Sequence, residues 1–279
     1  MKQLFDKVSN ECSVITTKSY STSFSLGIRF LNKSIRQPIY SIYGFVRFAD
    51  EIVDTFHDYN KLDLFKRFEA DTYKAIDEKI SLNPILNSFQ YVVNQYNIDI
   101  ENVRLFLKSM EMDLAKSTYS SKDEYQEYIV GSAEVVGLMC LSVFVNGDKE
   151  LYERLKPYAR SLGSAFQKVN FLRDFKYDHE QLGRTYFPNI DFSNFDQYQC
   201  ELIKQDIEKD FAHAKIGIDM LPRTSKLGVY VAYIYYTSLF KKIVALNTRV
   251  IKSERIRISN KRKAYLFFSS YFKYQLNLL

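Results

Sequence analysis

The sequence predicts an all-α fold. Only 9 glycines and 5 prolines occur in 279 residues, so long stretches run free of helix breakers, and the apolar positions recur mostly at spacings of three and four. Hydrophobic residues make up 46% of the chain and aromatics 16%, with 22 Tyr and 22 Phe, enough to fill a large core and also line a cavity. Such a composition excludes disorder. No Pro-, Gly- or Ser-rich linker and no charge run divides the chain, so one domain over residues 1–279 is expected.

Lys2 to Lys18 predicts a first helix, ending near Thr17-Lys18-Ser19-Tyr20-Ser21-Thr22-Ser23, because polar Ser-rich segments form turns or helix caps. Pro38 suits a first helical turn, and Ile39 to Thr55 predicts one long helix with Ile39, Ile42, Tyr43, Val46 and Val53 as its apolar positions. Lys61 to Lys79, heavily charged and so peripheral, and Pro84 to Tyr96 predict two more. Glu101 to Ala115 continues the pattern, and Lys122 to Val145 predicts a strongly apolar helix stopped by the turn Asn146-Gly147-Asp148. Glu150 to Asp178 predicts a long helix entered near Pro157, followed by a loop from Gly183 to Phe195. Tyr198 to Met220 and Val229 to Val250 predict helices separated by a turn at Pro222 and Gly228, and Asn260 to Leu279 a basic, aromatic last helix.

Two apolar stretches invite a membrane test. Tyr128 to Val145 is short for a span and carries Glu134, and Val229 to Leu246 is interrupted by Lys241 and Lys242, so both predict buried helices. Met1-Lys2-Gln3 opens no signal-peptide core, and Cys12, Cys140 and Cys200 are odd in number and far apart; a reduced, cytoplasmic protein is expected. The net charge of +6 suits nucleic acid, an anionic membrane or phosphorylated small molecules. No helix-turn-helix glycine, zinc-finger spacing or RNA-binding aromatic motif accompanies it, so no nucleic-acid partner is expected. The tail from Lys252 to Lys273 interleaves basic residues with Tyr and Phe. It reads equally as a segment in peripheral contact with the inner membrane surface or as a helix packed on the core. The sequence sets no oligomeric state.

Two stretches carry chemistry. The first runs from Tyr43 to Asp54 and the second from Gln167 to Asp178, and each holds an Asp-x-x-x-Asp pair, Asp50 with Asp54 and Asp174 with Asp178. On a helix, i and i+4 carboxylates lie on one face with Cβ atoms roughly 5 to 6 Å apart. Offsets of 0, 3, 7 and 11 residues fall within a sector of about 80°. Gln167, Asn170, Asp174 and Asp178 therefore share one face, and Arg47, Asp50 and Asp54 repeat the first three offsets. A lone pair of this kind is ordinarily a solvated helix face. Two, set in apolar helices with amide and arginine companions, point instead to divalent cations, because Mg²⁺ takes one or two carboxylates together with phosphate oxygens and water. His57, His179 and His213 show no zinc spacing, and neither a Gly-x-Ser-x-Gly nor a Gly-x-Gly-x-x-Gly motif occurs.

At these residues the chain resembles the squalene and phytoene synthase family, and most of all its bacterial phytoene synthases. Asn170-Phe171-Leu172-Arg173-Asp174 through Asp178, then Gly183-Arg184-Thr185-Tyr186-Phe187-Pro188, is similar to that family's second signature almost position by position, and Tyr43 to Asp54 is similar to its first. Tyr20-Ser21-Thr22-Ser23-Phe24-Ser25 resembles its diphosphate-touching N-terminal segment. Gly131 to Met139 resembles its apolar central helix, although Ser132-Ala133-Glu134-Val135 departs from the small-residue pattern there. The resemblance covers roughly residues 15 to 260.

It implies an isoprenoid synthase fold, a helical bundle around a central apolar cavity between the two aspartate helices. It further implies a prenyltransferase that condenses two geranylgeranyl diphosphates head to head to phytoene, through a cyclopropyl (prephytoene) diphosphate, as the first step of carotenoid biosynthesis. The alternatives are the same chemistry on farnesyl diphosphate, giving dehydrosqualene or squalene, and a catalytically silent relative acting as an assembly or scaffold protein. Mg²⁺, or Mn²⁺ in its place, is expected on Asp50, Asp54, Asn170, Asp174 and Asp178, with Gln167 assisting; NADPH is not expected. The four aspartates and Tyr186 are the expected catalytic residues. Ser21, Ser23, Phe24, Tyr43, Arg47, Tyr128, Gln167, Asn170, Arg173, Arg184, Tyr236 and Arg255 (or Arg257) are the expected substrate contacts. Phe24, Leu138, Leu141 and Val145 are expected to set cavity depth.

Overall fold

The computed structural model describes residues 1–119, 121–188, 190 and 195–276, and every regular element among them is a helix; Thr118 and Thr185 form an isolated bridge. The expected loop from Gly183 to Phe195 and the end of the expected last helix reach residues 189, 191–194 and 277–279, which lie outside the described residues.

α1 (Lys2–Tyr20) runs two residues further than expected, until the extended backbone of Ser21 breaks it. The same serine caps α2 (Thr22–Arg29), its hydroxyl accepting from the Phe24 amide at 3.2 Å. The Ser/Thr cluster thus contains a single-residue break followed by a helix that periodicity had not separated. α3 (Lys33–Asp54) starts at Asn32, whose side chain accepts from the Ser34 amide at 3.1 Å. Pro38 therefore lies inside the helix rather than in its first turn, where its ring removes one backbone donor. α4 (Lys61–Glu78), α5 (Pro84–Gln95) and α6 (Ile100–Ala115) begin as the sequence suggests, capped by Asn60, Asn83 and Asp99.

The apolar stretch Lys122 to Val145 is two helices, α7 (Lys122–Ile129) and α8 (Val135–Val145), joined by a π turn over Val130–Glu134. α9 (Lys149–Leu182) follows, capped by Asp148 and again carrying its proline, Pro157, inside rather than at its start. The π turn is clamped from both sides. A Cβ on Gly131 would lie 2.4 Å from the Leu105 carbonyl of α6, and one on Gly163 of α9 would lie 2.6 Å from the Ala133 carbonyl. Gly131→Ala is expected to destabilise the fold by about 1–3 kcal/mol through overpacking against backbone, read as a lower urea midpoint at unchanged slope. Lys122–Val145 is long and apolar enough to cross a membrane, but 67% of its apolar window is buried, with α8 packed on α3, α6 and α9.

Gly183, in the left-handed region at φ 63°, ends α9 and turns the chain so that the Arg184 amide donates back to the Asp178 carbonyl at 2.8 Å. α10 (Gln197–Met220) opens with a reciprocal capping box between Asp196 and Gln199. α11 (Arg223–Val244) starts directly after Pro222 and takes in Gly228, which the sequence suggests as a turn. That glycine serves close packing, since a Cβ there would meet the Leu31 side chain at 2.4 Å. α12 (Thr248–Ile251) is a separate short helix, and α13 (Asn260–Gln275) is capped by Ser259 and packs on α11.

One core cluster gathers α3 to α6 around Phe45, whose ring stacks on Phe89 at 3.9 Å and meets Phe106 at 5.3 Å. A second joins α7, α9, α10 and α11 around Phe171 and Tyr186, and a third joins α8, α9, α10 and α11 around Leu141 and Leu155. Between them lies an apolar cavity of about 310 Å³, walled by α2, α3, the π turn, α8, α9, α10 and α11. Phe24 and Leu141 line it, as expected. Leu138 and Val145, on the same face of α8 as Leu141, instead pack within the third core cluster and do not reach the cavity wall.

Candidate active site

α3 and α9 face one another across this cavity, Tyr43 and Val46 on one wall and Phe166, Gln167 and Asn170 on the other. Asp54 of α3 pairs with Arg184 just beyond the end of α9, so the two motif helices meet at one polar rim where the charges on Asp174 and Asp54 both act on Asp178. Arg184, placed by the Gly183 turn, ties the rim together: its guanidinium donates to the Asp54 carboxylate at 2.6 Å and to the Asp113 carbonyl at 3.0 Å. On the other side, Asp174 accepts from the Arg255 Nε at 2.6 Å and from its neighbour Arg173. Arg47 pairs with Glu51, stands 3.9 Å from Asp50 and lies over the Tyr20 ring at 4.4 Å.

The electrostatics follow from this placement. Asp50 is recessed among protein groups with 32% of its side chain still open, and burial together with the charge on Asp54 pushes it up to about 8 against the pull of Arg47. Asp178 is likewise pushed up to about 8, by burial and then by Asp174 and Asp54. Burial disfavours the Arg184 cation, but Asp113, Tyr186 and Asp54 more than offset it, so the guanidinium titrates above its ordinary range. Burial pushes the Tyr43 hydroxyl up to about 12, beside Ser21. Tyr43 stacks on Phe24 at 4.8 Å. Across the cavity, the Tyr236 hydroxyl donates to Asn170 at 3.2 Å, its ring stacks on Phe166 at 3.9 Å, and Asn170 donates to Gln167 at 3.5 Å.

Sequence reasoning missed Asp113. Its buried carboxylate accepts from the Tyr128 hydroxyl at 2.6 Å and the Tyr119 hydroxyl at 2.9 Å, and stands 3.7 Å from Arg184. Burial pushes it up to about 6 against the pull of Arg184 and of both hydroxyls. The available signal was an aspartate in the last turn of α6, where the helix dipole disfavours negative charge unless a partner compensates. The same cluster relocates Tyr128. Its hydroxyl serves Asp113 and its ring stacks on Tyr186 at 5.2 Å, so it stands behind Arg184 and not at the cavity wall where a substrate contact was expected. Tyr186 lies in this stack too, against Phe171 at 4.0 Å, with its hydroxyl 3.4 Å from Arg184. Ser21 and Ser23 sit half-buried at the start of α2, and Arg257 meets α11 through its carbonyl, which accepts from Lys242 at 2.8 Å. Among the described residues, no three His, Cys, Asp or Glu side chains converge to hold a metal. Asp54 and Asp174 are instead held by arginines.

A profile for squalene/phytoene synthases matches residues 17–262, most of the chain. The chain belongs to the squalene/phytoene synthase family. Its relatives include a phytoene synthase from Arthrospira platensis, 28% identical over 209 residues that take in 71% of this chain and 66% of that one. A 4,4'-diapophytoene synthase from Staphylococcus haemolyticus is 25% identical over 68% of this chain and 65% of its own. The chain thus spans about two thirds of the length of such curated relatives. A crystal structure of a dehydrosqualene synthase in complex with ligand superposes with a TM-score of 0.80 at 20% identity, covering 98% of both chains, which establishes the all-α isoprenoid synthase fold. Squalene/phytoene synthases are prenyltransferase-type enzymes of isoprenoid and carotenoid biosynthesis that take prenyl diphosphates. In this family member both aspartate motifs are intact and share one rim.

Proposed function

We propose that the chain condenses two molecules of geranylgeranyl diphosphate head to head into phytoene, through a cyclopropyl (prephytoene) diphosphate, as a first step of carotenoid biosynthesis. The observation that carries this reading is the junction of an apolar cavity of about 310 Å³ with a rim bearing Asp50, Asp54, Asp178, Asp174, Asn170 and the guanidinium groups of Arg47, Arg173, Arg184 and Arg255. Isoprenoid tails suit the cavity and diphosphates the rim.

Asp50 and Asp178 have a reason to take Mg²⁺ or Mn²⁺: each is a recessed carboxylate held up to about 8 by burial and like charge, a cost that a divalent cation removes. Separated carboxylate pairs match an ion that takes one or two of them along with phosphate oxygens and water. When bound, the cation neutralises diphosphate and makes it a leaving group. The arginine forks donate to diphosphate oxygens and fix the C–O bond to be broken at the rim. That bond breaks with its electron pair leaving on diphosphate. The second substrate's double bond then attacks the allylic cation, and proton loss closes the cyclopropane. The second C–O bond breaks in the same way, and a further proton loss follows rearrangement. Tyr43, Phe166 and Tyr236 present ring faces near the rim, where they stabilise cationic carbon. The apolar walls keep water from quenching it.

The name of the staphylococcal relative and that of the superposed synthase favour a second reading, the same chemistry on farnesyl diphosphate. Incubation with Mg²⁺ and each prenyl diphosphate, with and without NADPH, followed by chromatography of the hydrocarbon extract, separates them. A C40 product from geranylgeranyl diphosphate without NADPH is expected. A C30 product moves the assignment to farnesyl diphosphate, and no product from a folded protein replaces both with the silent-relative reading.

A further inference from the structure

The last helix carries a surface that the cavity chemistry does not use. α13 packs on α11 through buried Leu266, Phe267 and Ser270, with Phe267 5.9 Å from Phe30 just after α2 and the Tyr274 hydroxyl donating to the Arg223 carbonyl at 3.3 Å. Turned away from that seam, Tyr265, Phe268, Phe272 and Leu276 are each 61–67% exposed. Their offsets of 0, 3, 7 and 11 residues place them within a sector of about 80°, one continuous apolar stripe along the helix. Isolated exposed apolar side chains are ordinary, whereas a stripe of three aromatics and a leucine on one face implies a counterpart.

Charge identifies it. From Arg255 to Leu279 the chain holds six Lys and Arg and no Asp or Glu. Exposed Lys261 lies in line with the start of the stripe, and exposed Arg262 and Lys273 flank it on one side, Arg262 leaning over the Tyr265 ring at 5.3 Å. A second copy of the chain laid on this stripe would set like charges against one another. We propose that α13 is an interfacial helix that seats the protein on an anionic lipid surface, Tyr265, Phe268, Phe272 and Leu276 entering the headgroup boundary and Lys261, Arg262 and Lys273 meeting lipid phosphates. The placement is economical: α11 and α2, which hold α13, supply Val229, Ala232, Phe24 and Ile28 to the cavity wall, so the apolar cavity lies one helix away from the bilayer.

Flotation of the full chain with phosphatidylcholine vesicles, with and without phosphatidylglycerol, tests this independently of activity or substrate. The parent is expected to float with the anionic vesicles and to be released by salt. Phe268→Ser/Phe272→Ser and, separately, Arg262→Glu/Lys273→Glu are expected to lower partitioning by about tenfold or more with the helical circular dichroism unchanged. A parent that stays at the bottom with anionic vesicles, or variants that float as the parent does, overturns the proposal. So does light scattering that shows a dimer which the Phe268→Ser/Phe272→Ser variant converts to monomer, since the stripe's counterpart is then a second copy.

Discussion

Asp50→Asn is expected to lower hydrocarbon formation by about a thousandfold or more, and at the same time to raise the melting temperature in metal-free buffer near neutral pH. The two effects share one cause. A carboxylate whose folded-state value is raised from 3.8 to about 8 binds its proton more tightly in the folded than in the unfolded chain. Its contribution to stability therefore falls as pH rises above 3.8 and levels off beyond about 8, the reverse of a salt-bridged aspartate. Asparagine keeps the shape and removes this term. The gap in melting temperature between variant and parent should accordingly widen from pH 4 to pH 8, at roughly 2 °C or more for each kcal/mol relieved. Asp178, raised to the same level by burial and then by Asp174 and Asp54, leaves a residual slope in the variant. Under the proposed function, Mg²⁺ with a diphosphate should narrow the gap by stabilising the ionised parent. Differential scanning calorimetry across that range, alongside the product assay, checks both halves. A gap independent of pH would mean that Asp50 titrates as an ordinary exposed carboxylate, and retained activity would remove it from the site.

The sequence announced this site better than it announced the fold's breaks. Asp50, Asp54, Asp174 and Asp178 could be placed on single helix faces from spacing alone, and Asn170, Gln167 and Arg47 came with them, because helical periodicity is fixed by local geometry. The facing of α3 and α9 was out of reach, since it depends on how α2, α8, α10 and α11 pack around the cavity between them. The π turn at Val130–Glu134 was hidden for the same reason: it answers to the backbone of α6 and α9 against Gly131 and Gly163, and no local propensity records it. Gly228 misled in the opposite direction, reading as a turn because its role is to admit Leu31 from a distant helix. Asp113 escaped because its partners Tyr119, Tyr128 and Arg184 come from three later segments and no repeat spacing links them.

That cluster yields the largest expected effect on stability. Arg184→Met is expected to cost about 3–5 kcal/mol of unfolding free energy at neutral pH, because it strands the buried Asp113 carboxylate and removes the link to Asp54. Asp113→Asn alone should cost less, about 1–2 kcal/mol, since the amide still offers an oxygen to one tyrosine hydroxyl while Arg184 retains Asp54 and the residue 113 carbonyl. If the two side chains act as a pair, the double variant Arg184→Met/Asp113→Asn should recover about 1–3 kcal/mol relative to the sum of the single changes, which urea denaturation of the four proteins measures directly. Additive costs would mean that Arg184 is held by Asp54 and by backbone alone. Arg184→Lys distinguishes support from mere charge. An ammonium is a point donor that cannot keep the fork spanning Asp54 and the Asp113 carbonyl, so this variant should stay folded yet lose kcat by more than it raises KM for the prenyl diphosphate. Equal, parental values would show that Asp54 needs only a nearby cation. A selective loss of kcat would show that the orientation set by Asp113 through Arg184, some distance behind the cavity wall, reaches the bond that breaks at the rim.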